Sequence, residues 1–546
     1  MSDLDKIFKA YDVRGVVPDE LDESVAEAVG AAFVRLTGAK TIVTLHDMRA
    51  SSGPLADAIG RGATSQGADV IRGGLGSTDM VYYASGSLGI PGAMVTASHN
   101  PARYNGIKLC KAGAKPVGIE TGLAEIKAMV EHGVPAYDGA PGTTTDKDLL
   151  PGYAEYLKKL VDLSGIRPLK VVVDAGNGMG GYTVPTVFEG LPITLIPLYF
   201  ELDGSFPNHE ANPIDPENLR DLQRAVKEHK ADIGLAFDGD ADRCFIVDER
   251  GEIVSPSVLA ALIATRVLAR EPGSAVIHNL ITSRAVPELV TEHGGTPVRT
   301  RVGHSFIKAK MSEHNAIFGG EHSGHFYFRD FWFADSGMLA ALHALAALGH
   351  DSRPLSAILS EFSRYADSGE INSEVSDQAA ATAKIKSIYS ERSGVTLDEL
   401  DGLTVLGDTW WFNVRPSNTE PLLRLNVEAS SEAEVAAIRD EVLGLIRTQL
   451  SPGGTTPRTP RGMPDERRGY RACELREKGP RMEIEDWVME FIVCPKCRAD
   501  LRADEAASEL VCTGCGLAYP VRNSIPVLLV DEARQTPLPQ AEGSAG

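Results

Sequence analysis

A chain of 546 residues is too long for a single hydrophobic core and implies about three to five domains. Its 43% hydrophobic, 6% aromatic and 24% charged residues are ordinary for a globular protein. The net charge of −21 argues against a duplex-binding surface, which needs clustered Lys and Arg, so no nucleic acid is expected among the partners. A small phosphorylated substrate stays compatible if basic residues gather in one cleft. No apolar run approaches the roughly 18–20 residues that span a bilayer. The opening MSDLDKIFKAYDVRG has neither a secretory nor a transit pattern. The expected compartment is cytoplasmic, with no membrane partner.

To about residue 450, apolar β-branched runs alternate with amphipathic stretches, the rhythm of α/β units on largely parallel sheets. In the first block TIVTLHD (41–47) and AMVTA (93–97) predict strands, and LADAIGRGATSQG (55–67) the helix between them. The second of these strands breaks into TASHNP, which places Ser98 beside His99, with Lys108 ten residues on. That serine could be a nucleophile, a phosphate carrier or part of a turn. In the second block LKVVVDAG (169–176) and DIGLAFDGD (232–240) predict strand-to-loop transitions. Gly176, Gly178 and Gly181 mimic a dinucleotide loop, but no acidic residue follows at the expected distance, and a tight strand-to-helix turn is the better reading.

The third block carries the strand AVIHNL (275–280), RVGHSFIK with His304 and Lys308, the loop GGEHSGHFYF and a helix over 334–348. The fourth, from about 365, holds helical patterns around GLTVLG and a strand pair flanking WFNVRPSNTEP. Similar blocks at intervals of roughly a hundred residues hint at a duplicated unit, although no residue-level repeat is visible. Residues 451–481, rich in Pro, Gly and Arg without apolar period, predict a linker. A compact piece follows at 482–534, then a polar tail at 535–546 expected to be disordered.

Four loops carry chemistry. In DGDADR, Asp238, Asp240 and Asp242 stand at alternate positions and can converge on one hard cation while a phosphate oxygen completes its shell. A calcium loop has the same spacing, and Glu249 even falls at its twelfth position, but Arg243 replaces the glycine at the sixth and the flanks predict strands. A solvated acidic turn is the plainer alternative. In GGEHSGHFYF, Glu321, Ser323 and His325 offer an acceptor, a hydroxyl and a titratable ring for sugar hydroxyls and a proton; a structural loop is the default against which this is weighed. In RPSNTEP, Arg415, Ser417, Asn418 and Thr419 can form an anion cradle.

TASHNP with Lys108, DGDADR, GEHSGH and RPSNTEP, in this order, resemble the four signature loops of the α-D-phosphohexomutases over about residues 5–450. The resemblance implies an α/β protein with three related α/β domains and a smaller α+β domain, bounded at 1–148, 149–252, 253–364 and 365–450. It implies a phosphoserine at Ser98 and Mg²⁺ bound by Ser98, Asp238, Asp240 and Asp242. Phospho-Ser98, with His99 beside it, would give its phosphoryl group to a hexose monophosphate. The hexose 1,6-bisphosphate, which also serves as activator, would turn over and return its other phosphate.

Family pattern places Arg14 near the phosphoserine, although a salt bridge alone would also explain an arginine there. It assigns proton transfer to Lys108, assisted by His304 and His325, with Arg243 stabilising charge. Glu321, Ser323 and His325 would read the sugar, and Arg415, Ser417, Asn418 and Thr419 the second phosphate. GEHSGH is similar to the phosphomannomutase/phosphoglucomutase branch. Phosphoglucosamine mutases, the alternative, usually carry Gln where His322 stands.

The terminal piece reads C-x2-C-x14-C-x2-C through Cys494, Cys497, Cys512 and Cys515. Four thiolates leave a tetrahedral Zn²⁺ no open position, so the ion would be structural; redox CxxC pairs are the competing reading. Cys110, Cys244 and Cys473 are scattered and fit a reducing compartment. The piece resembles small zinc-ribbon proteins related to methyltransferase-activator subunits, which implies a methyltransferase-like protein partner. A partner-binding protein with an inert mutase scaffold is therefore a further reading, opposed by the presence together of Ser98, Lys108, the three aspartates and Arg415.

Overall fold

The computed structural model describes residues 4–375, 377–416, 422–447, 492–504, 507, 509–522, 525–526, 528 and 533–536. The linker expected at 451–481 and the tail beyond 536 lie outside the described residues. The chain divides into two compact units, Met1–Gly454 and Thr455–Gly546. Among the described residues no helix is long and apolar enough to cross a membrane.

The first unit holds four sheets. Three of them share one arrangement, which parallels the recurrence of similar blocks along the sequence. In the first, Gly92–Val95 runs parallel to Thr41–His46 on one side and antiparallel to Tyr104–Lys111 on the other. In the second, Ile233–Phe237 is parallel to Leu169–Asp174 and antiparallel to Cys244–Asp248. In the third, Phe318–Gly320 is parallel to Ala275–Asn279 and antiparallel to Phe326–Phe328. Each of these central strands is buried throughout, which is why each reads as an unbroken run of apolar and small residues. TASHNP, DGDADR and GEHSGH leave the C-terminal ends of these three strands.

The helix expected over 334–348 begins three residues later. Ala334–Asp335 forms an edge strand, and Ser336 caps Gly337–Gly349 by accepting from the Leu339 N–H. All thirteen residues of that helix are buried, so its Ala/Leu composition runs all the way round. One continuous core joins the second and third sheets through Val171, Phe237, Leu262, Phe318 and Leu342.

The fourth sheet is antiparallel, in the order Ala366–Glu374, Leu422–Ala429, Trp410–Pro416, Leu403–Leu406, Thr396–Asp398. With the helices Gln378–Ser390 and Glu432–Arg447 it encloses a separate core around Phe412, Leu425 and Ile385. Its apolar seam with the third sheet is small, with Trp411 packed on Leu280 and Ile281. Glu428 stitches this seam by accepting from the Trp411 indole at 2.7 Å and from the Arg284 N–H at 3.0 Å.

The second unit holds a small antiparallel sheet of Leu501–Asp504, Glu509–Cys512 and Leu517–Arg522, with Ile525–Pro526 and Arg534–Gln535 on the last strand. Among the described residues its core is made of Leu501, Leu510, Leu517, Tyr519 and cysteines.

Candidate active site

After Val95 the chain leaves the sheet through a turn in which the Thr96 hydroxyl accepts from the Ser98 N–H at 2.9 Å. Ser98 itself has φ 51°, a left-handed conformation that non-glycine residues seldom adopt. Arg49 holds it there. The guanidinium donates to the carbonyls of Ser98, Asn100, Pro101 and Tyr104 at 2.7–3.1 Å and pairs at 3.2 Å with Asp47, both side chains almost wholly buried. No single motif marks Arg49, and sequence reasoning missed it. Its signal is position: like Ser98 it follows the C-terminal end of a parallel strand, where α/β sheets place their ligands.

Ser98 donates its hydroxyl to Asp238 at 2.8 Å, and the His99 ring lies 3.2 Å away. The two loops touch through backbone as well. A Cβ on Gly239 would stand 2.4 Å from the Ser98 carbonyl oxygen, so only glycine permits this approach. Beneath it, a Cβ on Gly178 would meet the Gly239 carbonyl at 2.7 Å. The glycine-rich turn at 176–181 therefore packs against the acidic loop, as the tight-turn reading expects. Glu249, at the twelfth position of the calcium spacing, instead accepts from the N–H and hydroxyl of Ser356.

Asp238, Asp240 and Asp242 each present an oxygen to one small volume, all within 4.8 Å of one another. Lys108 bridges Asp240 and Asp242 at 2.7 Å each, and Thr78 donates its hydroxyl to Asp240 at 2.5 Å. Burial, then the two neighbouring carboxylates, pushes Asp238 well above the usual carboxylate range. Burial, the largest single influence, also acts to raise Asp240 and Asp242, but Lys108 together with Thr78 at Asp240 and Arg243 at Asp242 leaves both lowered. One oxygen of Asp240 and one of Asp242 are buried with no hydrogen-bond partner. Hard, anionic, unpaired oxygens around an acid that resists ionisation are a donor set that fits a divalent cation.

The loop of the third sheet closes one wall. His325 lies 3.3 Å from Arg243 Nε and 3.0 Å from the Ser323 hydroxyl. The guanidinium can only donate, so His325 Nε2 accepts and Nδ1 carries the proton toward Ser323. Burial, then Arg243, lowers the His325 pKa, in keeping with a neutral ring. Glu321 is fixed by the Asn279 amide at 3.0 Å and the Tyr327 hydroxyl at 2.7 Å. His322, between these residues, faces elsewhere, with Ser257 at 3.2 Å in a crevice shared with Asp367 and Trp411. Lys308 pairs with Asp335 at 2.7 Å.

Arg14 reaches the serine loop through the Asn100 carboxamide oxygen at 2.5 Å while pairing with Asp12. Tyr11, Arg14, Ser98, Lys108, Arg243 and His325 line a cavity of about 90 Å³. This is about three water volumes, the size of a phosphoryl group. Arg415 pairs at 2.8 Å with Glu370, which Arg424 also approaches at 3.3 Å; among the described residues it makes no contact with the serine loop. Ser417, Asn418 and Thr419, and the side chain of His304, lie outside the described residues.

In the second unit the four cysteine sulfurs lie within 4.8 Å of one another, with Cys494 and Cys515 at 3.6 Å and Cys497 and Cys512 at 3.4 Å. A disulfide needs about 2.05 Å. Tetrahedral zinc thiolates, at about 2.3 Å from the metal, stand about 3.8 Å apart, and this set is close to that spacing. The N–H groups of Gly514 and Cys515 point at the Cys512 sulfur, as a thiolate ligand requires.

Comparison with known proteins places this geometry. The chain is 42% identical over 446 residues to a protein of Xanthomonas campestris pv. campestris described as "Phosphohexose mutases", spanning 81% of this chain and 99% of that one. It is 39% identical over 451 residues to a phosphomannomutase of Escherichia coli, again 81% and 99% of the two chains.

The chain belongs to the phosphoglucomutase/phosphomannomutase family.

The family's alpha/beta/alpha domains I, II and III match residues 5–135, 151–251 and 255–365, and its C-terminal domain matches 370–445. A crystal structure of a phosphoglucomutase/phosphomannomutase family protein from Burkholderia thailandensis superposes with a TM-score of 0.74 at 33% identity, covering 83% of this chain and 99% of that one. Residues 488–524 match the Trm112p-like protein family. The fold class expected from sequence thus holds: a four-domain phosphoglucomutase/phosphomannomutase architecture followed by a small module whose cysteine cluster fits a zinc ribbon.

Proposed function

We propose that the chain is a phosphomannomutase interconverting mannose 6-phosphate and mannose 1-phosphate, and also the glucose phosphates, through phospho-Ser98 and a hexose 1,6-bisphosphate. The observation that carries this reading is the 2.8 Å contact of Ser98 with Asp238 inside the acidic cluster. The names of the relatives, phosphohexose mutases and phosphomannomutase, support it.

In the forward step the bond between phosphorus and Ser98 Oγ breaks, a bond to the free hexose hydroxyl forms, and the hydroxyl proton is taken up by the protein. In this reading Lys108, which with His325 lines the same cavity as Ser98, handles that proton, assisted by His325 and His304, with His99 beside the serine. Mg²⁺ on Asp238, Asp240, Asp242 and the Ser98 oxygen would supply charge neutralisation of the transferring group. Arg243 and Arg14 add fixed positive charge on either side. Glu321, Ser323 and His325 read sugar hydroxyls, while Arg415, Ser417, Asn418 and Thr419 anchor the distal phosphate. Domain limits at 1–148, 149–252, 253–364 and 365–450 belong to the same reading. A fourth domain with its own core and a small seam can move while the bisphosphate turns, shielding the intermediate from water.

For residues 482–534 the reading is a structural Zn²⁺ on Cys494, Cys497, Cys512 and Cys515, and a docking role toward a methyltransferase-like protein, supported by the Trm112p-like match.

The test is turnover of mannose 1-phosphate, glucose 1-phosphate and glucosamine 1-phosphate, each with Mg²⁺ and a trace of the matching 1,6-bisphosphate, beside Ser98→Ala. Mannose and glucose turnover that the variant loses is the expected result. Turnover of the glucosamine ester alone assigns the chain to the sister branch, and no turnover at all overturns the enzyme reading.

A further inference from the structure

Next to the reaction cavity, and sharing Tyr11 and Pro116 with it, lies a larger one of about 620 Å³. It is bounded by the hairpin of Tyr104–Lys111 and Lys115–Pro116, by the helix His304–His314, and by Arg329, Trp332 and Phe333. That volume is typical of small-molecule sites. Its charge is anomalous for a protein of net −21: four cations line it, Lys111, Lys115, Lys308 and Arg329, and no carboxylate does. Two of the four are spoken for. Lys308 pairs with Asp335 at 2.7 Å, and Arg329 grips Glu271 at 2.7 and 2.8 Å. The ammonium groups of Lys111 and Lys115 make no ion pair among the described residues. They leave a positive wall without a counter-charge.

The facing wall is aromatic and rigid. Trp332 and Phe333 are consecutive left-handed residues, φ 56° and 57°, a conformation that bulky side chains adopt only where the surroundings impose it. The Trp332 indole is stacked on Tyr156 at 5.0 Å between centroids and lies so close to Gly86 that a Cβ there would stand 2.1 Å from it. Neither carboxylate nor amide side chains line the cavity, and its polar groups besides the cations are the hydroxyls of Tyr11, Thr121, Ser305 and Ser312.

We propose that this cavity binds a nucleoside diphosphate, with the base against Phe333 and the open edge of Trp332 and the diphosphate on Lys111 and Lys115. An apolar ring surface joined to two unspent cations calls for a planar aromatic body carrying several negative charges. A hexose phosphate has the charge but not the ring. The site adjoins the Ser98 cavity without including Ser98 or the three aspartates, and its occupancy is read by binding alone, whatever sugar the enzyme turns over.

The experiment is calorimetric titration of the full-length protein with ADP and GDP, in saturating glucose 1,6-bisphosphate and without added divalent cation. Adenosine and pyrophosphate serve as the two halves. The expected result is saturable 1:1 binding of ADP or GDP, at least tenfold tighter than either half. It weakens at least tenfold in Lys111→Glu/Lys115→Glu and in Ala309→Glu, which sets a carboxylate on the exposed helical rim. Absence of saturable binding, an affinity unchanged in both variants, pyrophosphate binding as tightly as the nucleotides, or displacement of the nucleotide by further bisphosphate would each overturn the proposal.

Discussion

Ser98 is held, not merely present. Its left-handed backbone, the Thr96 cap and four carbonyl contacts from Arg49 aim its hydroxyl at Asp238. Ser98→Ala removes the oxygen proposed to carry the phosphoryl group, and mutase turnover should fall by at least about 10⁴-fold, read by coupled assay, with the melting temperature unchanged. Residual activity within about tenfold of the parent would dismiss the phosphoserine role. Arg49→Lys is the sharper test of positioning. An ammonium cannot reproduce a planar fork that serves four carbonyls, and a misplacement of about 1 Å costs on the order of 10²-fold in rate. We therefore expect kcat to drop about 100-fold while KM for the hexose phosphate moves little; an equal change in both would point to general unfolding of the loop. The acidic loop that Ser98 meets differs from Arg49 in legibility. Three aspartates at alternate positions after an apolar run have few other uses, so the acidic loop stands out in the sequence. Arg49 makes its contacts with backbone carbonyls, which leave no trace in residue identity.

Between elements the decisive contacts are close approaches and shared carboxylates. Gly239→Ala would drive a methyl group into the Ser98 carbonyl, and we expect kcat/KM to fall more than about tenfold with secondary structure intact by circular dichroism. Unimpaired kinetics would mean that the two loops are not packed as described.

Asp79 ties three helices together. From the helix Thr78–Leu88 it accepts at 2.6 Å from Tyr153 of Leu150–Leu160 and at 2.6 Å from Ser336, the cap of Gly337–Gly349. Burial raises its pKa from 3.8 to about 6. The folded state therefore favours the protonated acid. The stability this contributes is complete below about pH 4 and is lost as the pH rises through 6, about 3 kcal/mol in all. Asp79→Asn should flatten the decline of melting temperature between pH 4 and 7; curves parallel to those of the parent would refute the assignment. The strands at Thr41–His46, Leu169–Asp174, Ile233–Phe237 and Ala275–Asn279 were readable from apolar period, whereas GLTVLG, around which helical patterns are expected, holds the strand Leu403–Leu406 between Thr396–Asp398 and Trp410–Pro416. The start of the helix at Gly337 was not readable either, because Ala334 and Asp335 pair as an edge strand, and pairing across a sheet is invisible to local pattern.

Over the molecule as a whole, the two units have separate cores. A chain ending at Gly454 should keep kcat within about twofold and melt at the same temperature, measured by assay and calorimetry; loss of the mutase on truncation would show that the units are not independent. Conversely, a strong thiophilic chelator should release one zinc per chain and abolish the signal of the terminal sheet without touching the mutase transition. The bipartite plan is legible because a Pro, Gly and Arg-rich stretch without apolar period separates two differently patterned regions. The meeting of distant loops is not, since Ser98 and Asp238 are 140 residues apart and only the shared topology of their sheets brings them together.

That shared topology has a bearing on how such a protein can change over time. Each of the three loops is clamped at both ends by neighbouring strands of its own sheet, so a buried frame sets where each loop starts and ends while a few contacts, such as Gly239 on Ser98 and Arg243 on His325, set how the loops meet. A lineage can then alter positions of the third loop that face away from the other two, such as His322 on Ser257, while the serine and acidic loops pass unchanged to the descendants. Change at such positions leaves the contacts between the loops in place.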